Sequence, residues 1–277
     1  MDFKYFLKER KNNLVYLRYK LIVLAGMGFE KQYKYFPDAV FEKHIFKIKL
    51  NRIKWAHSTK IVTAPRMLVN GEWDIHSKMP VHDFLRKNDS CNTIFQIYSE
   101  GLPFQESDQY KSMKRYIDSG IIGPGWQARG CKSVQDIDMY FKRLEKHFDN
   151  IKRNGYKAQS ELGSNRFHDE LTVSIDRNGE FHKQEGEGHH RLAIAVLLNI
   201  PTVPVAIKRI HKNWAKEQFK KHKADLLTSL KKSLAASSDD AASYWLSTHT
   251  SEGIAAQSAA SQSSQFSASL SWPYSAG

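Results

Sequence analysis

The sequence predicts an α+β protein: a mixed sheet with helices, a helical N-terminal part, and a C-terminal strand–turn–helix unit. Three observations carry that class. Residues 134–151 hold a long apolar stripe at helical spacing. Residues 171–175 alternate apolar and polar side chains at strand spacing. Residues 192–198 form a dense apolar helix-forming run, and a second strand pattern follows at 202–207.

Composition sets the frame for those elements. A chain of 277 residues can bury one sizeable core with an accessory region, and 41% hydrophobic content is ordinary for a globular protein. The longest apolar run, residues 21–28, is too short to span a bilayer, and no cleavage pattern follows it. The expectation is therefore no membrane span and a cytoplasmic setting. Cys91 and Cys131 stand far apart without zinc spacing and read as free thiols. The formal charge is +13, and no Lys or Arg occurs after Lys232. Such a surface suits polyanions, anionic headgroups or nucleotides. It is equally compatible with lysines that serve only solubility.

Along the chain, residues 1–47 form a basic, aromatic segment, with an amphipathic helix expected over 3–24 and its aromatics toward the core. Basic residues interleaved with aromatics could also stack on single-stranded nucleic acid. Residues 48–160 read as an accessory region. Strands and loops are expected over 43–69, a turn at Val69-Asn70-Gly71, and a loop at 80–83 entering Phe84. Helical spacing follows at 108–117, with Tyr110, Met113 and Ile117 on one side, then a loop at 120–125. Ser133 with Asp136 resembles a capping box, opening a helix whose stripe runs Val134, Ile137, Tyr140, Phe141, Leu144, Phe148, Ile151. Gly155 is placed to stop it.

Residues 161–232 form the C-terminal unit. Leu171–Ile175 is a half-buried strand pattern, Asn178-Gly179 is a hairpin turn, and residues 180–184 read as the return strand. A helix follows Gly188 and is stopped by Asn199 and Pro201. A strand at 202–207 comes next, then one basic helix over 214–234. Residues 233–277 are about half Ser and Ala, without a basic residue, and read as a disordered tail.

The segment Glu187-Gly188-His189-His190-Arg191, between hairpin and helix, is the densest chemistry in the chain. Free amides at a helix start, a glycine and a fixed guanidinium make an anion site, with phosphate the expected anion. With those residues in hand, residues 171–214 resemble the ParB/sulfiredoxin-like fold, whose members hold nucleotide phosphates with a Gly-x-His-Arg or Gly-x-x-Arg element at a helix start. The matching positions are Gly188, His190 and Arg191. The sulfiredoxin cysteine position is His189 here, so the resemblance does not imply that chemistry. A helix-turn-helix pattern, as in the chromosome-partition members, is not seen after Trp214. Free-serine kinases of this fold carry an Asp-Gly-His-His-Arg element that Glu187–Arg191 resembles. A wider likeness begins near Ile48. Gly71-Glu72-Trp73-Asp74, Gly130-Cys131, Gly155-Tyr156 and the His-Arg unit stand in the order found in many ParB-like proteins, without an activity attached. Glu72 and Glu187 replace the commoner Asp and lengthen the reach of each carboxylate.

The resemblance implies a nucleoside di- or triphosphate (ATP/ADP/CTP class), with Mg²⁺ as a companion ion, bound by Gly188, His190 and Arg191. Catalytic candidates are Glu187, as base or Mg²⁺ holder, and His189, facing substrate. The competing reading pairs Arg191 with a carboxylate and makes the histidines structural. His182, Glu185, Glu187, His189 and His190 are crowded, but their spacing matches no familiar transition-metal motif, so no such site is expected. Trp73, Asp74 and His211 are candidates to flank the same pocket, with a core-edge Trp73 and a capping Asp74 as the competing reading; Trp214 could flank it too, but packing on the helix is its expected role. Phosphoryl transfer to a small hydroxylated acceptor is the leading expectation. The alternatives are a DNA-binding nuclease or adaptor using the basic surface, and a scaffold with a vestigial phosphate site.

Overall fold

A computed structural model of the chain describes residues 3–57, 66–76, 78–120, 128–163, 170–183 and 188–236. These lie within one unit, Met1–Ser238. The Gly120–Gly125 loop (in most of its length), Glu185, Glu187 and the Ser/Ala tail beyond 236 fall outside the described residues.

The chain opens with α1 (Phe3–Leu24), α2 (Phe29–Lys34) and α3 (Asp38–Phe41). Tyr19 of α1 enters the core, and its hydroxyl accepts from Leu227 N at 2.9 Å. The opposite side of α1 departs from the expected pattern. Five leucines, with Arg10 among them, face outward there. Strands β1 (Ile45–Lys49), β2 (Ile53–His57), β3 (Leu68–Val69) and β4 (Lys78–Pro80) follow.

The loop expected at 80–83 is instead the start of a helix. Pro80 is the N-cap of α4 (Val81–Lys87), and Asn88 caps α5 (Asp89–Tyr98) by accepting from Cys91 N at 3.2 Å. Proline before a first helical turn costs nothing, because that turn's amides have no intrahelical partner in any case. Helix α6 (Asp108–Asp118) buries Tyr110 and Met113, as its spacing predicts. Helix α7 (Val134–Asn154) shows the full capping box at Ser133 and Asp136. It buries Ile137, Phe141, Leu144, Phe148 and Ile151, and ends at Gly155, φ 76°.

In the C-terminal unit, β5 (Leu171–Ile175) and β6 (Phe181–Lys183) form an antiparallel hairpin. Gly179, φ 83°, sits at the end of the turn, where a Cβ would lie 2.5 Å from Trp214 Nε1. Helix α8 (His189–Leu197) leads through Asn199, φ 50°, into β7 (Thr202–His211). The single basic helix expected over 214–234 is two, α9 (Lys212–His222) and α10 (Leu226–Ala236). Lys223 turns left-handed at φ 48°, and Asp225 Oδ1 accepts from Thr228 N at 3.0 Å, stopping one helix and capping the next.

The mixed sheet runs β1-β7-β5-β6-β2-β4, with β3 beside the far end of β7. Strand β7 is parallel to β5 and β3 and antiparallel to β1, and β6 is parallel to β2. Every residue of β5 is buried, so its polar positions Thr172 and Ser174 do not face water as the alternation predicts. The strand is central, between β7 and β6, and Leu171 and Glu170 at its start lie against the beginning of α8. Among the described residues no helix is long and apolar enough to cross a membrane.

Candidate functional site

The first turn of α8 begins at Gly188, φ 77° and ψ 22°. A Cβ there would stand 2.7 Å from Leu171 Cα and 3.2 Å from Glu170 O. What the missing side chain admits is therefore the start of β5, and the helix is seated directly on the sheet.

His189 turns into the protein. Its ring lies 5.5 Å from that of Phe84, and its carbonyl accepts from Cys91 Sγ at 3.5 Å. Nε2 is buried without a hydrogen-bond partner among the described residues. Burial, and then Lys183 nearby, hold this imidazole neutral, with its pKa pushed down to about 2.

His190 points the other way and is half-buried. Its Nε2 donates to Gln109 Oε1 at 2.7 Å, and Gln109 Nε2 donates in turn to Tyr140 Oη at 3.2 Å. That bond fixes the tautomer and leaves Nδ1 as an acceptor. Burial, then Arg129 and His147, push its pKa down to about 3.

Arg191 is engaged on three sides. Nη1 donates to Glu170 Oε2 at 3.1 Å, Nη2 donates to Lys157 O, and the guanidinium lies 4.4 Å over the Tyr156 ring. Glu170 is 1% exposed and also accepts from Gln159 N. Pairing with a carboxylate, one of the two readings open from sequence, is thus present. It does not close the site. A cleft of about 790 Å³ lies over His190 and Arg191, walled on its other side by α7. Arg129, Arg143, His147 and Lys157 join His190 and Arg191 in its lining, and none of its described lining residues is acidic.

The structure brings His190 and Arg191 to this cleft, places Gly188 beneath them, and sends His189 away. Glu187 lies outside the described residues. Arg129, Arg143, His147 and Lys157 escaped the sequence reading. A signal existed for α7: Tyr140, Arg143, His147 and Asn150 recur at helical spacing beside the apolar stripe, so one edge of that helix is polar and turned toward α8.

Trp73, Asp74 and His211 come together elsewhere, at the far end of β7 and the hairpin turn. Arg177 grips Asp74 through its backbone amide (2.9 Å), Nε (2.9 Å) and Nη2 (2.8 Å). Burial works against ionisation of Asp74, but the Arg177 bonds outweigh it and hold the carboxyl at about 2. His211 Nε2 donates to Gly71 O at 2.9 Å, and the Trp73 ring lies 6.0 to 6.4 Å from His211, His57 and His182. None of these lines the cleft. Trp214 packs, as expected, and covers Gly179.

In the same buried layer, His182 Nε2 donates to Asp176 Oδ2 at 3.0 Å, and His57 Nε2 donates to His182 Nδ1 at 2.8 Å. Asp176, Glu180 and His182 offer ligand atoms within 4.8 Å of one another, a grouping a divalent metal could use. Each is already engaged: Asp176 Oδ1 accepts from the amides of Asn178 and Glu180, and Glu180 accepts from Trp55 Nε1 at 2.6 Å and Lys54 Nζ at 3.1 Å. A metal would have to displace those bonds. The network serves to lock the hairpin turn to β2.

No protein-family model, curated protein or solved structure matches this chain.

Proposed function

We propose that the cleft between α7 and α8 binds a phosphate-bearing small molecule, with a nucleoside di- or triphosphate as the ligand class. One observation carries the reading: four cationic or titratable side chains, Arg129, Arg143, His147 and Lys157, face a cavity beside His190 and Arg191, with no carboxylate among the described lining residues to neutralise them. A volume near 790 Å³ is within the range of small-molecule sites and accommodates a nucleotide. Arginine forks suit phosphate oxygens geometrically, and a concave cationic surface concentrates field at one place. The ParB/sulfiredoxin-like resemblance of Gly188, His190 and Arg191 points to the same ligand, although Gly188 makes room here for β5, His190 spends its N–H on Gln109, and Arg191 acts through a guanidinium already shared with Glu170.

Binding is better supported than phosphoryl transfer. A transferring site requires a group to orient or deprotonate the acceptor. His189 is turned away, and the carboxylate bonded at the cleft floor, Glu170, is committed to Arg191. Kinase-like transfer to a small hydroxylated acceptor, with Mg²⁺, would therefore rest on Glu187.

Calorimetric titration of the full chain with ATP, ADP, CTP and pyrophosphate, with and without Mg²⁺, tests the proposal against an Arg143→Ala/Lys157→Ala variant. Loss of two charge-assisted contacts predicts binding at least about tenfold weaker. Equal affinity in variant and parent refutes the cleft as the site. The nucleic-acid reading has its own observation: α9 exposes Lys216, Lys220 and Lys221. A fluorescent oligonucleotide titrated over a salt series separates it, because phosphate-backbone binding falls steeply with salt.

A further inference from the structure

Helix α1 is apolar on two opposite sides. Tyr19 and Ile22 are buried, and Tyr16 and Val23 pack against the core. Half a turn away stands a second stripe. Leu7 is 50% exposed, Leu14 67%, Leu17 56%, Leu21 59% and Leu24 82%. Leu7, Leu14 and Leu21 recur every seven residues, and Leu17 and Leu24 follow the last two by three, which puts all five on one face. A helix of 22 residues is about 33 Å long, so the stripe runs along most of an edge of the protein. Scattered exposed leucines need no explanation, but five aligned on one helix face form a contiguous patch of the kind that marks an interaction surface.

The charges on the same helix define what covers it. Residues 3–24 contain six Lys and Arg against one Glu. Lys11 and Arg18 border the leucines on one side, and Arg10 falls within the stripe, in register with Leu17 and Leu24. A second copy laid against this face in parallel would bury Arg10 against its own counterpart. Laid antiparallel, it would set the Lys11 and Arg18 edges of the two copies against each other. Both arrangements place like charges in a desolvated seam. An acidic helix from another protein would still have to bury Arg10 among packed side chains. A lipid surface imposes neither cost. Arginine and lysine stems lie along the apolar boundary while their charged ends reach the phosphates, and leucines between them enter the acyl region.

We propose that α1 is a peripheral membrane-binding helix, seating its Leu7–Leu24 stripe on an anionic lipid surface with Arg10, Lys11 and Arg18 at the headgroups. The protein then docks flat through one edge, with no segment crossing the bilayer. The cleft between α7 and α8 is a separate feature, and the two proposals fail independently.

Co-sedimentation of the full chain with phosphatidylcholine vesicles, with and without phosphatidylserine, tests the proposal. The parent protein should partition onto the phosphatidylserine vesicles and remain in solution with phosphatidylcholine alone. A Leu14→Ser/Leu17→Ser/Leu21→Ser variant, whose changes are all on exposed positions and whose helicity is checked by circular dichroism, should lose at least about tenfold in partitioning. Lys11→Gln/Arg18→Gln should weaken it about fivefold per charge removed. The Arg143→Ala/Lys157→Ala cleft variant should bind vesicles as the parent does. No partitioning of the parent, unchanged partitioning of the leucine variant, or a dimer in sedimentation velocity that the leucine variant dissolves would overturn the assignment.

Discussion

Replacing Arg191 with methionine keeps an unbranched aliphatic stem but removes the guanidinium over the Tyr156 ring, and with it the only side-chain cation shown bonded to Glu170 among the described residues. The carboxylate is 1% exposed and the guanidinium 14%, with 3.1 Å between them. Breaking a buried pair by deleting one partner costs about 3–5 kcal/mol, because the survivor remains desolvated. Glu170 lies only one layer beneath the surface and keeps the Gln159 amide, which places the expected loss near the lower end, about 3 kcal/mol. For a domain of this size that is a fall in Tm of about 6–12 °C. The loss also carries a pH signature. Burial already raises the Glu170 pKa above the ordinary 4.5 even with Arg191 present, and removing Arg191 raises it further. A carboxyl whose folded pKa exceeds its unfolded value binds more protons when folded, so the variant is least impaired below pH 4.5. It is increasingly impaired as pH rises through the folded pKa. Urea unfolding of parent and variant from pH 4 to 8, with Glu170→Gln/Arg191→Met to close the cycle, measures it. A pH-independent loss below about 1 kcal/mol would refute the view that Arg191 is held primarily by Glu170.

Three further outcomes follow from the same geometry. Gly188→Ala should cost about 2–4 kcal/mol, combining left-handed backbone strain with overlap on Leu171 Cα. Gly163→Ala, left-handed at φ 71° but facing open space, should cost only about 1 kcal/mol, and equal values would refute the packing account of Gly188. Acid should destabilise the fold early. Burial, and then His182, push the His57 pKa down to about 4, and burial with Arg129 pushes His190 to about 3, while the unfolded residues protonate near 6.5. The unfolded chain therefore binds more protons between pH 6.5 and 4, and each imidazole withdraws about 2 kcal/mol by pH 5. Asp38, raised to about 6 by burial, returns about 1 kcal/mol over the same interval, so the urea midpoint should fall between pH 7.5 and 5. A midpoint that rises or stays level would contradict the neutral state of these histidines.

Helix α7 was legible because its determinants are local: a cap, an apolar repeat and a terminating glycine within 23 consecutive residues. The hairpin closing at Gly179, and α8 opening at Gly188, were legible for the same reason. Helices α4 and α5 were hidden behind Pro80, read as a loop residue when it caps a helix. The division of α9 from α10 turned on Lys223 adopting a left-handed conformation that nothing in its side chain announces.

The candidate site divides along the same line. Sequence alone placed His190 and Arg191 at the start of a helix and marked them as candidates to hold an anion. Tertiary structure decided that Arg191 would be shared with Glu170, 21 positions earlier, that His189 would face Phe84, and that Arg143, His147 and Lys157 would complete the cleft. Local conformation follows from neighbours along the chain, whose steric and hydrogen-bonding preferences are fixed by residue type. The partner of a buried charge is set by which distant elements the core draws together, and residue order does not encode that distance.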